Sequence, residues 1–86
     1  MSFCSTVIDY FEQLNDNEIM MISYNGSLSS DFLEKGDYLE QIDDNTLLVF
    51  KNTHPIQKIF INFNFVRKVK IAEKHDCVNI FKKEED

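Results

Sequence analysis

The sequence predicts an α+β domain that is mostly β, in which one N-terminal helix precedes a small curved antiparallel sheet or barrel of five to six strands. Apolar residues recur at helical spacing near the N-terminus. Downstream, short apolar or alternating segments are separated by clusters of turn-forming residues. At 86 residues the chain is expected to form a single domain, 1–86, with β structure over 18–81 and a charged tail over 82–86.

The predicted helix covers residues 5–14. Four apolar side chains fall at i, i+3, i+4 and i+7 and therefore share one helix face: Val7, Tyr10, Phe11 and Leu14. Either Ser5 or Thr6 is suited to accept a hydrogen bond at the N-terminus. We expect the apolar face to pack on the sheet.

Residues 18–24 form a dense apolar run that predicts the first strand. Asn25-Gly26 follows, and this dipeptide tolerates the two positive φ angles of a type I′ turn, so a second strand is expected near Ser27. Residues 27–37 fit either an irregular strand with a loop or a short helix capped by Ser30. Strand and loop are preferred, because Gly36 disfavours a continuous helix.

The second half of the chain carries the clearest strand patterns. Residues 38–42 and 47–51 flank a cluster of turn formers and predict a hairpin. Residues 56–71 alternate with period two, so one set of side chains is expected to face the core: Ile59, Ile61, Phe63 and Phe65. Sixteen extended residues would reach roughly 53 Å, too far for a compact domain, so we expect a bend at 66–68. A last strand is predicted at 77–81.

One helix followed by short strands, with a long bent strand among them, resembles the order of elements in SH3-like and Sm-like barrels. The resemblance is one of architecture. It implies a small barrel and, for the Sm-like case, an oligomer that binds RNA. No RNA-contacting residue is transferred from that family to this chain.

The acidic and basic residues are separated along the chain. Residues 1–45 hold ten acids and one base, Lys35, whereas residues 46–86 hold eight bases and five acids, and the net charge is −6. Separated charge of this kind governs association with partners more than it governs fold.

The sequence carries no signature of an enzyme, a metal site or a cofactor site. Its two glycines cannot build a glycine-rich phosphate loop, and no paired cysteine motif occurs. His75 and Cys77 are the nearest approach to a metal cluster, but a closed zinc site needs four ligands. His54 has no carboxylate or nucleophile placed beside it by spacing. We expect no catalytic residues, no metal and no cofactor.

A cytoplasmic location is expected. No apolar run approaches the roughly 20 residues that span a bilayer, and the first nine residues lack the basic and apolar regions of a secretory signal. Cys4 and Cys77 are interpreted as two reduced thiols, although a disulfide between them is geometrically allowed.

Carboxylates recur about every three residues between positions 31 and 44. Such a row resembles the spacing of phosphates along a strand and predicts docking on a basic protein surface, as in small acidic inhibitors of nucleic-acid enzymes of the kind that phages produce. Tyr38, with Leu39, would supply an apolar anchor. The predicted partner-binding residues are Asp31, Glu34, Asp37, Tyr38, Glu40, Asp43 and Asp44.

Two alternatives remain open. If Ile59 and Ile61 face the core, a basic and aromatic face points outward and resembles the stacking surface of single-strand binders. Its residues are Lys58, Phe60, Asn62, Lys68 and Lys70. The second alternative is a structural or scaffold subunit. A further interpretation is a homo-oligomer, in which the oppositely charged patches of two copies meet head to tail or the open edge of the sheet pairs with another copy.

Overall fold

A computed structural model of the chain describes residues 2–74. In this part of the chain one helix is followed by six strands, which form two antiparallel sheets of three strands each. The predicted class, an N-terminal helix with mostly β structure, is confirmed, but the two sheets do not close into one barrel. The strand predicted at 77–81 and the charged tail lie outside the described residues.

The helix α1 begins two residues earlier than predicted and covers Phe3–Glu12. The side chain of Ser2 caps it by accepting a hydrogen bond of 3.1 Å from the backbone N–H of Ser5. Cys4 and Val7 face the core and are buried. Tyr10, which was predicted on the buried face, is instead 55% exposed.

The first sheet has the strand order β2-β1-β6. The strand β1 has the bounds that the sequence predicts, and the three strands are β1 (Glu18–Tyr24), β2 (Ser30–Glu34) and β6 (Val66–Glu73). The predicted type I′ turn is wrong, because Gly26 has a φ of 73° but no non-glycine residue within 2–74 has a positive φ. The second strand therefore begins at Ser30 rather than near Ser27.

The second sheet has the order β3-β4-β5. Its strands are β3 (Tyr38–Asp43), β4 (Thr46–Lys51) and β5 (Gln57–Asn62). The predicted hairpin is confirmed, with Leu39 opposite Val49 in the register. The choice left open for residues 27–37 is decided in favour of strand and loop, so the helical alternative is wrong.

The chain passes between the sheets at two corners. One is the segment between β2 and β3, where Gly36 has a φ of 110°. The other is a 3₁₀ helix, Phe63–Phe65, between β5 and β6. The long strand is thus interrupted as predicted, but at 63–65 rather than 66–68. The side chain of Asn62 accepts a hydrogen bond of 2.9 Å from the N–H of Asn64, and this local bond competes with strand pairing.

A single cluster of buried side chains joins the helix and both sheets. Ile61 and Phe63 belong to it as predicted, and Ile59 packs against it, whereas Phe65 is 61% exposed. Phe65 leaves the core because the 3₁₀ turn shifts its direction relative to an extended strand. The buried cluster is Cys4, Val7, Leu14, Met20, Ile22, Leu33, Leu47, Val49, Ile61 and Phe63.

Candidate functional site

One face of the second sheet points away from the core and concentrates exposed aromatic residues. The register places Tyr38 opposite Phe50 and Phe50 opposite Lys58, so these three side chains form a row across the strands. In the adjacent row Glu40 lies opposite Leu48, and Leu48 lies opposite Phe60. We call this surface the outer face, and its residues are Tyr38, Glu40, Leu48, Phe50, Lys58 and Phe60.

On the outer face the ring of Tyr38 contacts that of Phe50, and the side chains of Tyr38 and Phe60 stay open to solvent. The ring centroids of Tyr38 and Phe50 lie 5.6 Å apart, and the ammonium of Lys58 lies 5.7 Å from the centroid of Phe50. Tyr38 is 62% exposed and Phe60 is 67% exposed. Large apolar side chains grouped in this way mark an interaction surface more often than scattered ones do.

The acidic row predicted between positions 31 and 44 is divided by the fold. Asp31 lies on β2 and accepts a hydrogen bond from the hydroxyl of Tyr24. Glu34, at the end of the same strand, forms an ion pair of 3.3 Å with Lys74. These carboxylates belong to the first sheet and are engaged within the chain, so they do not extend the outer face.

Asp37 is the most enclosed member of the acidic row. Its side chain is 2% exposed and lies 2.6 Å from the ammonium of Lys51, and it also accepts hydrogen bonds from the N–H groups of Glu34 and Asn52. Burial alone would raise the pKa of Asp37, but the Lys51 contact and the two N–H donors together lower it. Asp37 therefore joins the two sheets and is not available to a partner.

Three carboxylates of the row remain exposed near the turn of the β3–β4 hairpin. Glu40 lies on the outer face, Asp43 is the last residue of β3, and Asp44 lies in the turn. The N–H of Asn45 donates a 2.8 Å hydrogen bond to Asp43, which lowers the pKa of that carboxyl. We call Glu40, Asp43 and Asp44 the acidic end. Each of these groups is suited to attract a cationic surface.

The basic face predicted as the alternative is also divided. Lys58, Phe60 and Asn62 lie on β5 and point the same way, as the period of a strand requires. Lys68 and Lys70 lie on β6 in the first sheet, paired with Ser23 and Met21. The five residues thus occupy two different sheets, and a single lysine remains beside Phe60 on the outer face.

An apolar groove of about 280 Å³ lies between α1 and β6. It is lined on the helix side by Phe3 and Tyr10 and on the strand side by Val69 and Ile71, with Met20 at its base. Tyr10 is its only titratable lining residue. Thr6 also lines the groove, but no lining residue is a base that could activate its hydroxyl or that of Tyr10, so these residues form no catalytic constellation.

The other reactive residues form no site in the part of the chain that the structure describes. Within residues 2–74 no group of three metal-ligating side chains occurs. Cys4 is buried, and burial together with the charges of Asp43 and Asp44 raises the pKa of its thiol. His54 is exposed in the β4–β5 loop. His75 and Cys77 lie outside the described residues. Among residues 2–74 no helix is long and apolar enough to cross a membrane.

Sequence reasoning missed two members of the outer face, Leu48 and Phe50. Both lie on β4: Leu48 lies between the buried residues Leu47 and Val49, and Phe50 follows Val49. The alternation of residues 47–51 was the signal that would have placed them, because successive side chains of a strand point to opposite faces. Residues 47–50 are all apolar, which conceals that alternation.

Comparison with known proteins found no matching family model, no matching curated protein and no matching solved structure.

Proposed function

We propose that this chain is a non-enzymatic, cytoplasmic binding protein that acts by docking on another protein. The observation that carries the proposal is the outer face itself, where Tyr38 and Phe60 are 62% and 67% exposed on one continuous sheet surface. Leu48 and Phe50 lie between them, and the acidic end adjoins them. In this proposal the outer face and the acidic end together recognise the partner protein.

The combined surface can supply both the affinity for a partner and the selection of that partner. Aromatic anchors that become desolvated at the centre of an interface supply most of its binding energy. Charges at its margin act mainly on the rate of encounter and on the choice of partner. Tyr38 and Phe60 have the first role, and Glu40, Asp43 and Asp44 have the second. A partner with a basic surface is therefore favoured.

The specific form of this proposal is an inhibitor that occludes the basic groove of a nucleic-acid enzyme. The carboxylates of the acidic end would occupy positions that phosphates take in the substrate. The net charge of −6 supports this form, because it favours approach to a cationic surface and opposes approach to a polyanion. The acidic end replaces the longer row that the sequence suggested, since Asp37 is enclosed.

Nucleic-acid binding is the second candidate, and one observation favours it. Lys58 lies over the ring of Phe50, and Phe60 is exposed one row away, so a base has an aromatic surface beside a cation. In that case the chain would be an Sm-like or SH3-like oligomer. The separation of Lys68 and Lys70 from this surface leaves few cations to contact phosphates, which favours protein docking. A structural subunit is the third candidate.

The test is affinity capture from native lysate, with and without nuclease, followed by mass spectrometry. The informative variant carries Glu40→Gln, Asp43→Asn and Asp44→Asn. The matched control carries Asp9→Asn, Glu12→Gln and Asp16→Asn, which removes the same number of exposed charges elsewhere. Asp37 is left intact in both, so that the fold is preserved.

We expect a nuclease-insensitive partner that the acidic-end variant loses and the control variant retains. Equal retention by both variants would contradict the proposal. Nucleic-acid binding would be supported instead if the captured material is lost on nuclease treatment and with Phe60→Ala, and if its binding depends steeply on salt concentration.

A further inference from the structure

We propose that the exposed turn at Asn25-Gly26 is a site of spontaneous deamidation, where the side chain of Asn25 is converted to aspartate and isoaspartate without an enzyme. The inference is independent of the proposed docking function, because the turn follows the end of β1 in the first sheet and lies off the outer face. It rests on the freedom of one backbone N–H group in the folded chain.

The reaction is an attack by the backbone nitrogen of Gly26 on Cγ, the side-chain amide carbon of Asn25. A bond forms between these two atoms, and the proton of the nitrogen passes through water to the side-chain amide group, which leaves as ammonia. Water then opens the resulting succinimide ring at either of its two carbonyl carbons. One opening gives aspartate and the other gives isoaspartate, so water is the only co-reactant.

The attacking N–H group is free in the folded chain, although its neighbours are hydrogen-bonded. The N–H of Asn25 donates a 2.8 Å hydrogen bond to the carbonyl oxygen of Phe65, and the N–H of Ser27 donates one of 3.4 Å to that of Tyr24. Within residues 2–74 the N–H of Gly26 has no acceptor. Its nitrogen can therefore attack without breaking a hydrogen bond of the fold.

The space around the turn also permits the reaction. A Cβ atom placed on Gly26 would meet nothing within 4 Å, so no neighbouring group hinders the approach. Gly26 has a φ of 73°, which glycine adopts without steric cost. Asn25 is exposed, and among residues 2–74 its side chain has no hydrogen-bond partner to restrain it. Both reacting groups are thus accessible to each other and to water.

Two other exposed asparagines show how the fold opposes the same reaction elsewhere. Asn52 is followed by Thr53, whose N–H donates a 2.8 Å hydrogen bond to a backbone carbonyl oxygen. Thr53 also has a branched side chain with restricted rotation beside the attacking nitrogen. Asn17 is followed by Glu18, whose N–H donates a hydrogen bond of 3.2 Å. Asn25 differs from both because the N–H that follows it is unoccupied.

Deamidation would change both the charge and the backbone of the turn. The new carboxylate adds one negative charge to a chain whose net charge is −6. Isoaspartate also inserts one methylene group into the main chain, within the ring that the hydrogen bond from Ser27 to Tyr24 closes. We expect this hydrogen bond to be lost while the buried cluster is retained, because the turn contributes no residue to that cluster.

The test is to incubate the folded protein in neutral buffer and to follow it by ion-exchange chromatography and peptide mass spectrometry. We expect a more acidic species to accumulate as the amide of Asn25 is lost. Peptide mapping should place aspartate and isoaspartate at position 25, and enzymatic methylation should detect the isoaspartate. Asn52 is the internal control and should keep its amide over the same time.

Asn25→Gln is the matched variant, because it keeps an amide before Gly26 but lengthens the side chain, so the five-membered ring cannot form. Circular dichroism should show that it folds as the wild type does, and we expect no acidic species from position 25. A parallel incubation in urea measures the rate in the unfolded chain. Conversion of Asn25 that is confined to urea would overturn the proposal, as would equal rates at Asn25 and Asn52 in the folded protein.

Discussion

The ammonium of Lys51 lies 2.6 Å from Oδ2 of Asp37 and also donates a 2.7 Å hydrogen bond to the carbonyl oxygen of Phe32. Lys51 ends β4 in the second sheet, and Phe32 lies on β2 in the first. Asp37 occupies the corner between β2 and β3. The ion pair therefore joins both sheets at the point where the chain crosses from one to the other.

Removing one partner of this pair should strongly destabilise the fold. Asp37→Ala would leave the ammonium of Lys51 enclosed without a counter-charge, which costs about 3–5 kcal/mol of unfolding free energy. Urea unfolding followed by circular dichroism measures the change. Asp44→Ala, at an exposed carboxylate, is the control and should change stability by less than about 0.5 kcal/mol. Similar values for the two variants would show that the pair does not stabilise the corner.

The same carboxyl predicts how stability depends on pH. The pKa of Asp37 is lower in the folded chain than its ordinary value, so the unfolded chain binds the proton more readily. The stabilisation is then present above about pH 4, the ordinary range of an aspartate, and is lost as pH falls through the folded pKa. Urea midpoints measured from neutral to acidic pH should converge for the wild type and Asp37→Asn. A difference between them that does not change with pH would contradict this assignment.

The thiol of Cys4 should be inert in the folded protein. It is fully buried and its pKa is raised, so little thiolate is present at neutral pH. A Cys77→Ser background isolates this thiol. We expect a thiol reagent to label Cys4 slowly in native buffer and rapidly in urea. Native labelling as fast as that of a free cysteine would show that Cys4 is accessible.

Two isoleucines on or beside β5 test the assignment of its faces. Ile61 is fully buried, and Ile61→Ala should lower the unfolding free energy by about 2–5 kcal/mol. Ile56 is 63% exposed, so Ile56→Ala should cost less than about 0.5 kcal/mol. Thermal or urea unfolding measures both variants. Equal costs would mean that the register of β5 is wrong.

Local sequence patterns predicted the elements whose signals are local. The bounds of β1 were predicted, because a compact apolar run ends at a glycine-containing turn. The outward direction of Phe60 and the inward direction of Ile61 followed from period two alone. The break in the long strand was predicted from length, but its position depends on the Asn62 side chain and was missed by three residues.

The candidate site was predicted only in part, because distances between strands are not encoded locally. Tyr38 and Phe60 were assigned to two competing surfaces, yet the β3-β4-β5 pairing places them on one face. The acidic row looked continuous in sequence, but Asp37 turns inward to meet Lys51, which lies 14 residues away along the chain.

The sequence by itself determined three features of the protein. These are one amphipathic helix, a series of short strands, and the separation of acidic from basic residues along the chain. Side-chain alternation and turn chemistry act over a few residues, so they can be read directly. Only the tertiary structure decided which charges are enclosed and which remain exposed. That outcome depends on strand order and on the corner at Asp37, where burial and hydrogen bonds from Glu34, Lys51 and Asn52 act on one carboxylate. The outer face, which joins side chains of three strands, arises at that level.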